Sequence, residues 1–316
     1  MFRLAAAVLI VMGWGAFAAA DDVKIVLWNG EELFTEADVQ AKAAQMQQLV
    51  GDLEPDILLI DEVCSLAVVE KVRDVMGLTG YHVACSDFNQ RDDQMHSSFE
   101  VGIISRYRID RIVEFDQTPD NKFYGRDGEP DEIPLQIDRF LKLGVQEAGV
   151  GRGFLWARFD ELELTLCVTH LKSSRSGDDR RNAMKREYVA AAMAGSVLDD
   201  TEAFPDYSYL VIGDLNVGAT DTSKIGTNLV EDETDGYDDT HAILGGGLIR
   251  GLRMKNLTQG VGETYDDRPR NRFVGSGPID NIYVSGANEA DFGAGQKSTN
   301  TYGSDHFAVW TVYQRP

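Results

Sequence analysis

Polar clusters sit where the apolar runs of this chain begin or end. Asn29 follows 23–28, Asp61-Glu62 follows 56–60 and Thr169-His170 ends 162–169. Gly213-Asp214-Leu215-Asn216 follows 209–212, Asp280 lies at the head of 279–284, and Ser304-Asp305-His306 introduces 307–312. Carboxylates, amides and imidazoles are the groups with which proteins hold hard cations, orient water and move protons. Asp214 and Asn216 are two apart, so on extended backbone they face the same side. Each residue alone has an ordinary reading: Asn29 or Asp280 as a turn residue, Asp305 as a turn cap, Asp-x-Asn as a loop. Their joint occurrence carries the weight, because strand ends of a layered α/β domain share one rim and ligands gather there. The serine-hydrolase, zincin, P-loop and dinucleotide signatures G-x-S-x-G, H-E-x-x-H, G-x-x-x-x-G-K-[ST] and G-x-G-x-x-G are absent.

The elements that must position these residues are regularly spaced. Residues 23–28 alternate as a strand, and Thr35 is the expected N-cap of a helix to about Gly51. The apolar run 56–60 after Pro55 reads as a strand buried on both faces. A helix is expected over 65–76, then strands at 81–85 and 99–105, the latter continuing as a hairpin through 108–115. Residues 116–134, with Pro119, Gly125, Gly128, Pro130 and Pro134, read as a long surface loop. Strands 154–159 and 162–169 turn at Asp160-Glu161, a helix is expected over 178–198, and late strands at 209–212, 279–284 and 307–312. An early βαβα portion followed by antiparallel strands predicts two packed, mixed or antiparallel sheets flanked by helices, a four-layer α/β/β/α sandwich.

In this order the pieces resemble the endonuclease/exonuclease/phosphatase superfamily, with its deoxyribonuclease I-like fold. The matching pieces are Trp28-Asn29 with 31–34, 55–62, Val101-Gly102-Ile103-Ile104-Ser105, Thr169-His170-Leu171, Gly213-Asp214-Leu215-Asn216, Ile279-Asp280 and Ser304-Asp305-His306. One departure stands near the start: relatives often read Asn-x-Glu-Asn-Leu-Phe where this chain has Asn29-Gly30-Glu31-Glu32-Leu33-Phe34.

The resemblance implies a metal-dependent phosphodiesterase, foremost a nuclease. A phosphodiester repels a nucleophile, so its hydrolysis needs cations on the phosphoryl oxygens and an oriented water. Glu62 is implied as main metal ligand, with Asn29 and Asp305 completing or bracing the shell, and oxygen donors suit Mg²⁺ or Mn²⁺. Asp214 would orient and deprotonate the water, Asn216 donate to the phosphate, and Asp280 hold His306 in one tautomer. His170 would contact the phosphate, oriented by Glu100. Lys172, Arg175 and Arg180 head a basic cluster running to Arg186, open to a substrate-phosphate role or to a salt-bridged helix face. A phospholipid or phosphomonoester substrate, and a non-catalytic binding protein on the same scaffold, are the alternatives.

Thirty Lys and Arg stand against 52 Asp and Glu, a net charge of −22. That balance excludes broad nonspecific coating of nucleic acid but not a phosphate site, since charges are screened beyond about 8–10 Å. Residues 1–20 read as a signal peptide cleaved after Ala20, leaving 21–316 as one catalytic domain, a secreted or periplasmic monomer with no membrane span. Export permits a Cys64–Cys85 disulfide, and three free thiols are equally compatible with the sequence. His82, His96 and His241 are assigned no role. The acidic run 231–239 fails the EF-hand pattern, since Ala242 stands where a bidentate Glu is needed; a secondary Ca²⁺ site elsewhere stays open.

Overall fold

The structure, a computed structural model, describes residues 22–88, 99–117, 123–124, 152–173, 179–217, 238–246, 252–266 and 276–315. The signal-like segment 1–20, His96, Arg175 and most of the runs 116–134 and 231–239 lie outside the described residues.

β1 (Val23–Leu33) runs parallel to β2 (Ile57–Val63), and two short helices connect them, α1 (Glu36–Ala41) and α2 (Ala43–Leu53). Thr35 closes a capping box with Asp38, each satisfying a backbone N–H of the other. The single helix expected from Thr35 to Gly51 is broken at Lys42. α2 ends at Glu54, whose left-handed φ of 46° precedes Pro55, a residue that cannot continue the helix. α3 (Leu66–Val75), capped by the Ser65 hydroxyl, leads to β3 (His82–Cys85) and β4 (Glu100–Ser105).

The second half supplies β5 (Arg111–Gln117), β6 (Phe123–Tyr124), β7 (Phe154–Phe159), β8 (Leu164–His170), α4 (Asp179–Ala203) and β9 (Ser208–Asp214). There follow α5 (Thr240–Leu244), β10 (Met254–Asn256), β11 (Tyr265–Asp266), β12 (Ser276–Gly277), β13 (Asp280–Ser285), β14 (Gln296–Lys297) and β15 (Val309–Tyr313). A six-stranded sheet has the order β14-β15-β1-β2-β4-β3, and a seven-stranded sheet the order β10-β13-β9-β8-β7-β5-β6. The hairpin expected between 99–105 and 108–115 does not form. Both edges of β4 are taken by β2 and β3, so the chain crosses to the other sheet, where β5 pairs with β7.

Three buried clusters define four layers. Ile25, Leu59, Ile103, Leu166, Ile212 and Tyr313 lie between the sheets. Trp28, Leu58, Met46 and Val69 join the first sheet to α1–α3, and Trp156, Val211, Met193 and Ile243 join the second to α4 and α5. Each such apolar side chain contributes about 1.5–3 kcal/mol on burial. The four-layer α/β/β/α arrangement is therefore the one expected. Cys64, Cys85 and Cys167 are free thiols. No described helix is long and apolar enough to cross a membrane.

Candidate active site

Strand register builds the site. His170, Asp214 and Asp280 are direct partners across β8, β9 and β13. This row requires a close approach of β8 and β9, where a Cβ on Gly213 would lie 1.8 Å from the Thr169 carbonyl oxygen. On the facing sheet Asn29 pairs with Asp61, and both β1 and β2 slip register just beyond. Glu62 sits in that slip with a φ of 62°, and Glu31, Glu32 and Asn216 are also left-handed. Such backbone is costly for residues with a Cβ and gathers at functional sites.

The two rows meet through hydrogen bonds. Asn29 Nδ2 donates to Glu62 Oε1 at 3.2 Å and to Asp214 Oδ2 at 3.3 Å. Its carbonyl oxygen accepts the Glu31 N–H at 2.9 Å, so in this orientation Asn29 braces two carboxylates. Glu62 Oε2 accepts the Glu32 N–H at 3.0 Å. His170 Nε2 lies 3.6 Å from Asp214 Oδ2 and 3.9 Å from Glu62 Oε1. Asp214 Oδ1 accepts the Asn216 N–H, and the Asn216 side chain donates to the Leu171 carbonyl.

His306 precedes β15, where Ser304 ties it to β1: the Ser304 hydroxyl donates to the Asn29 carbonyl and accepts the His306 N–H. Its Nδ1 is 2.9 Å from Asp280 Oδ2, and its Nε2 faces Asp305 and Asp214 at 3.7 and 3.8 Å. Burial opposes the charged imidazolium, but Asp280, Asp214 and Asp305 outweigh it and raise the His306 pKa. Asp214 is shifted upward, first by burial and then by Asp280, with His306 pulling the other way.

Glu100 is buried at the start of β4, where its Oε2 accepts the Ser86 hydroxyl at 2.6 Å and the Phe88 N–H at 2.8 Å. Within the basic cluster, Arg186 is held inward by the Lys172 carbonyl and Asp238, the salt-bridged alternative for that residue. Lys172 is half-buried close to Arg152 and Arg186. Arg180 falls on α4, and Arg175 is outside the described residues. His241 is a satisfied core residue between Tyr283 and the Val217 carbonyl.

Two residues missed from sequence belong to the site. Arg152, just before β7, is buried, stacks over Phe99 at 4.3 Å and donates to the Leu171 carbonyl. Burial lowers its pKa while Glu62 and Asp214 raise it. The only sequence sign was a basic residue heading an apolar run. Asp61, noted only as the neighbour of Glu62, accepts the Asp214 N–H at 3.1 Å, and its Oδ1 is buried without a partner. Burial, then Asp214, raises its pKa well above the ordinary value of an aspartate.

A cation fits this donor set. Ligand atoms of Asp214, Asp280 and His306 lie within 4.8 Å of one another, and Asn29 links that group to Glu62. The crowding of buried carboxylates that raises Asp214 is the field a divalent ion neutralises.

No family model and no curated protein matches the chain. Solved structures do. An endonuclease/exonuclease/phosphatase from Bacteroides vulgatus is 16% identical with a TM-score of 0.59, covering 94% of this chain and 100% of that one. Truncated Caenorhabditis elegans TDP2 is 15% identical with a TM-score of 0.54, over 93% and 97% of the two chains. D. rerio TDP2, in complex with a single-strand DNA product, is 15% identical with a TM-score of 0.54, over 92% and 98%. The chain has the fold of these endonuclease/exonuclease/phosphatase proteins.

Proposed function

We propose that this chain is an exported, divalent-metal-dependent phosphodiester hydrolase of the endonuclease/exonuclease/phosphatase superfamily, acting on nucleic acid. The observation that carries the reading is the row His170–Asp214–Asp280, completed by the His306–Asp280 pair and facing Asn29 and Glu62. Glu62, with Asp305 and the Asn29 amide, would hold the metal beside Asp214, Asp280 and His306. When bound, a Mg²⁺ or Mn²⁺ ion supplies positive charge to the phosphoryl oxygens.

The chain's own groups divide the remaining work. Asp214 Oδ2, turned toward both histidines, orients the attacking water and takes its proton. Asp280 fixes the proton of His306 on Nδ1 or shares it there, leaving Nε2 toward the phosphate. Lys172 and the Arg152 guanidinium supply further positive charge on the phosphate side, His170 stands beside Asp214 to meet the phosphate, and Asn216 is placed by its own backbone beside Asp214. The DNA product in the D. rerio neighbour supports nucleic acid as the substrate class.

The test is hydrolysis of DNA, RNA, sphingomyelin vesicles and a phosphomonoester, with Mg²⁺, with Mn²⁺ and with EDTA. Cleavage of nucleic acid should require metal and be abolished by Glu62→Ala and by His306→Ala. EDTA-insensitive turnover retained in both variants, or no turnover of any phosphoester, would overturn the proposal. Release of a lipid headgroup alone would move the substrate to the membrane.

A further inference from the structure

We infer that Lys42 is a positioning residue for the metal-binding carboxylate, an assignment that rests on the active-site reading above. Lys42 is the single residue between α1 and α2, with its backbone N–H turned to the carbonyls that close α1 and its carbonyl accepting the Met46 N–H. Anchored at both ends, it sends its ammonium back to the slip in β1. There Nζ donates to the Gly30 and Glu31 carbonyls, each at 2.8 Å, and pairs with Glu31 Oε2 at 3.4 Å.

Those carbonyls belong to a segment held in unfavourable backbone, with Glu31 and Glu32 at φ of 51° and 55°. A Cβ on Gly30 would fall 2.3 Å from Leu33 Cδ1, so any side chain there would force Leu33 to shift. The same segment presents two N–H groups inward. Glu31 N–H sets the Asn29 amide, which braces Glu62 and Asp214, and Glu32 N–H binds Glu62 directly. Convergence of carbonyls on one cation is what keeps a strained loop in one conformation. Lys42 acts through the loop on the orientation of Glu62. Such outer supports of a metal site typically govern its affinity by about 10–100-fold.

The test compares Mn²⁺ binding by calorimetry in wild type, Lys42→Met and Lys42→Arg, with circular dichroism and melting measured in EDTA. Lys42→Met keeps the aliphatic stem and should bind Mn²⁺ about 10-fold or more weakly, with Lys42→Arg restoring most of the loss. Should Lys42→Met fail to fold, Lys42→Gln carries the same comparison with a single remaining donor. A variant that melts earlier yet binds Mn²⁺ as tightly as wild type assigns Lys42 a purely structural role and overturns the inference. Failure of wild type to take up Mn²⁺ overturns the active-site reading itself, so the two outcomes are distinct.

Discussion

His306, in the segment that leads into β15, and Asp280, at the head of β13 in the other sheet, form a buried ion pair, Nδ1 to Oδ2 at 2.9 Å. The pair ties the approach to the last strand of one sheet to the β9–β13 pair of the other, and it leaves the second ring nitrogen turned toward Asp214. Charge and orientation of one imidazole are thus controlled by a residue 26 positions earlier in the chain.

Removing that charge while keeping the shape separates the two effects. Asp280 is a leading cause of the raised His306 pKa, so Asp280→Asn should lower it. An NMR titration of the His306 ring in metal-free protein checks the direction. Hydrolysis should fall by about 10²–10⁴-fold, as when an orienting carboxylate is lost from other histidine pairs.

Arg152 places a cation among Glu62, Asp214, Asp61 and Glu100. Arg152→Met should raise KM for a phosphodiester by about 10-fold or more, the scale of a charged hydrogen bond. Mn²⁺ affinity should not fall, because the loss of a neighbouring positive charge favours a bound cation. Parallel kinetics and calorimetry distinguish this from general damage to the site.

Gly213 carries the spacing between β8 and β9. Gly213→Ala sets a methyl against the Thr169 carbonyl, a contact that backbone rather than a flexible side chain must relieve. A loss of about 1–3 kcal/mol in urea unfolding is expected, with activity lost as the His170–Asp214 register opens.

Glu187 on α4 is buried, and burial first, then Asp238 and Asp239, raises its pKa to about 8 against the pull of Arg186. A carboxyl raised on folding favours the native state fully below its unfolded pKa, and that contribution is lost as pH rises through about 8. Stability should therefore decline from this group between about pH 4.5 and 8. Glu187→Gln, still able to accept the Asp239 N–H that binds Oε1, should flatten the decline and melt higher than wild type above pH 8. Melting temperatures across pH 5 to 9, chosen as a range about the shift, decide it.

Much of the fold was legible because its signals are local. Alternation in 23–28, the apolar run after Pro55, the cap at Thr35 and the helix expected from Ser65 correspond to observed elements. Misread were places where pairing elsewhere in the sheet decides the outcome. Residues 108–115 have the pattern of a hairpin partner, but β4 has no free edge to receive them. The Asn29 strand continues to Leu33 through a slip that no period-2 pattern displays.

By itself the sequence placed Asn29, Glu62, His170, Asp214, Asp280 and His306 beside the ends of its apolar runs, and so pointed to a shared rim. Period, turn chemistry and residue type are local properties, readable wherever they occur. Only the tertiary structure decided that Asn29 bonds Asp214 across 185 residues, that Arg152 enters the site, and that Lys42 braces the loop holding Glu62. Those contacts depend on which sheet faces meet and how two strands slip in register, and neither property belongs to any single segment of the chain.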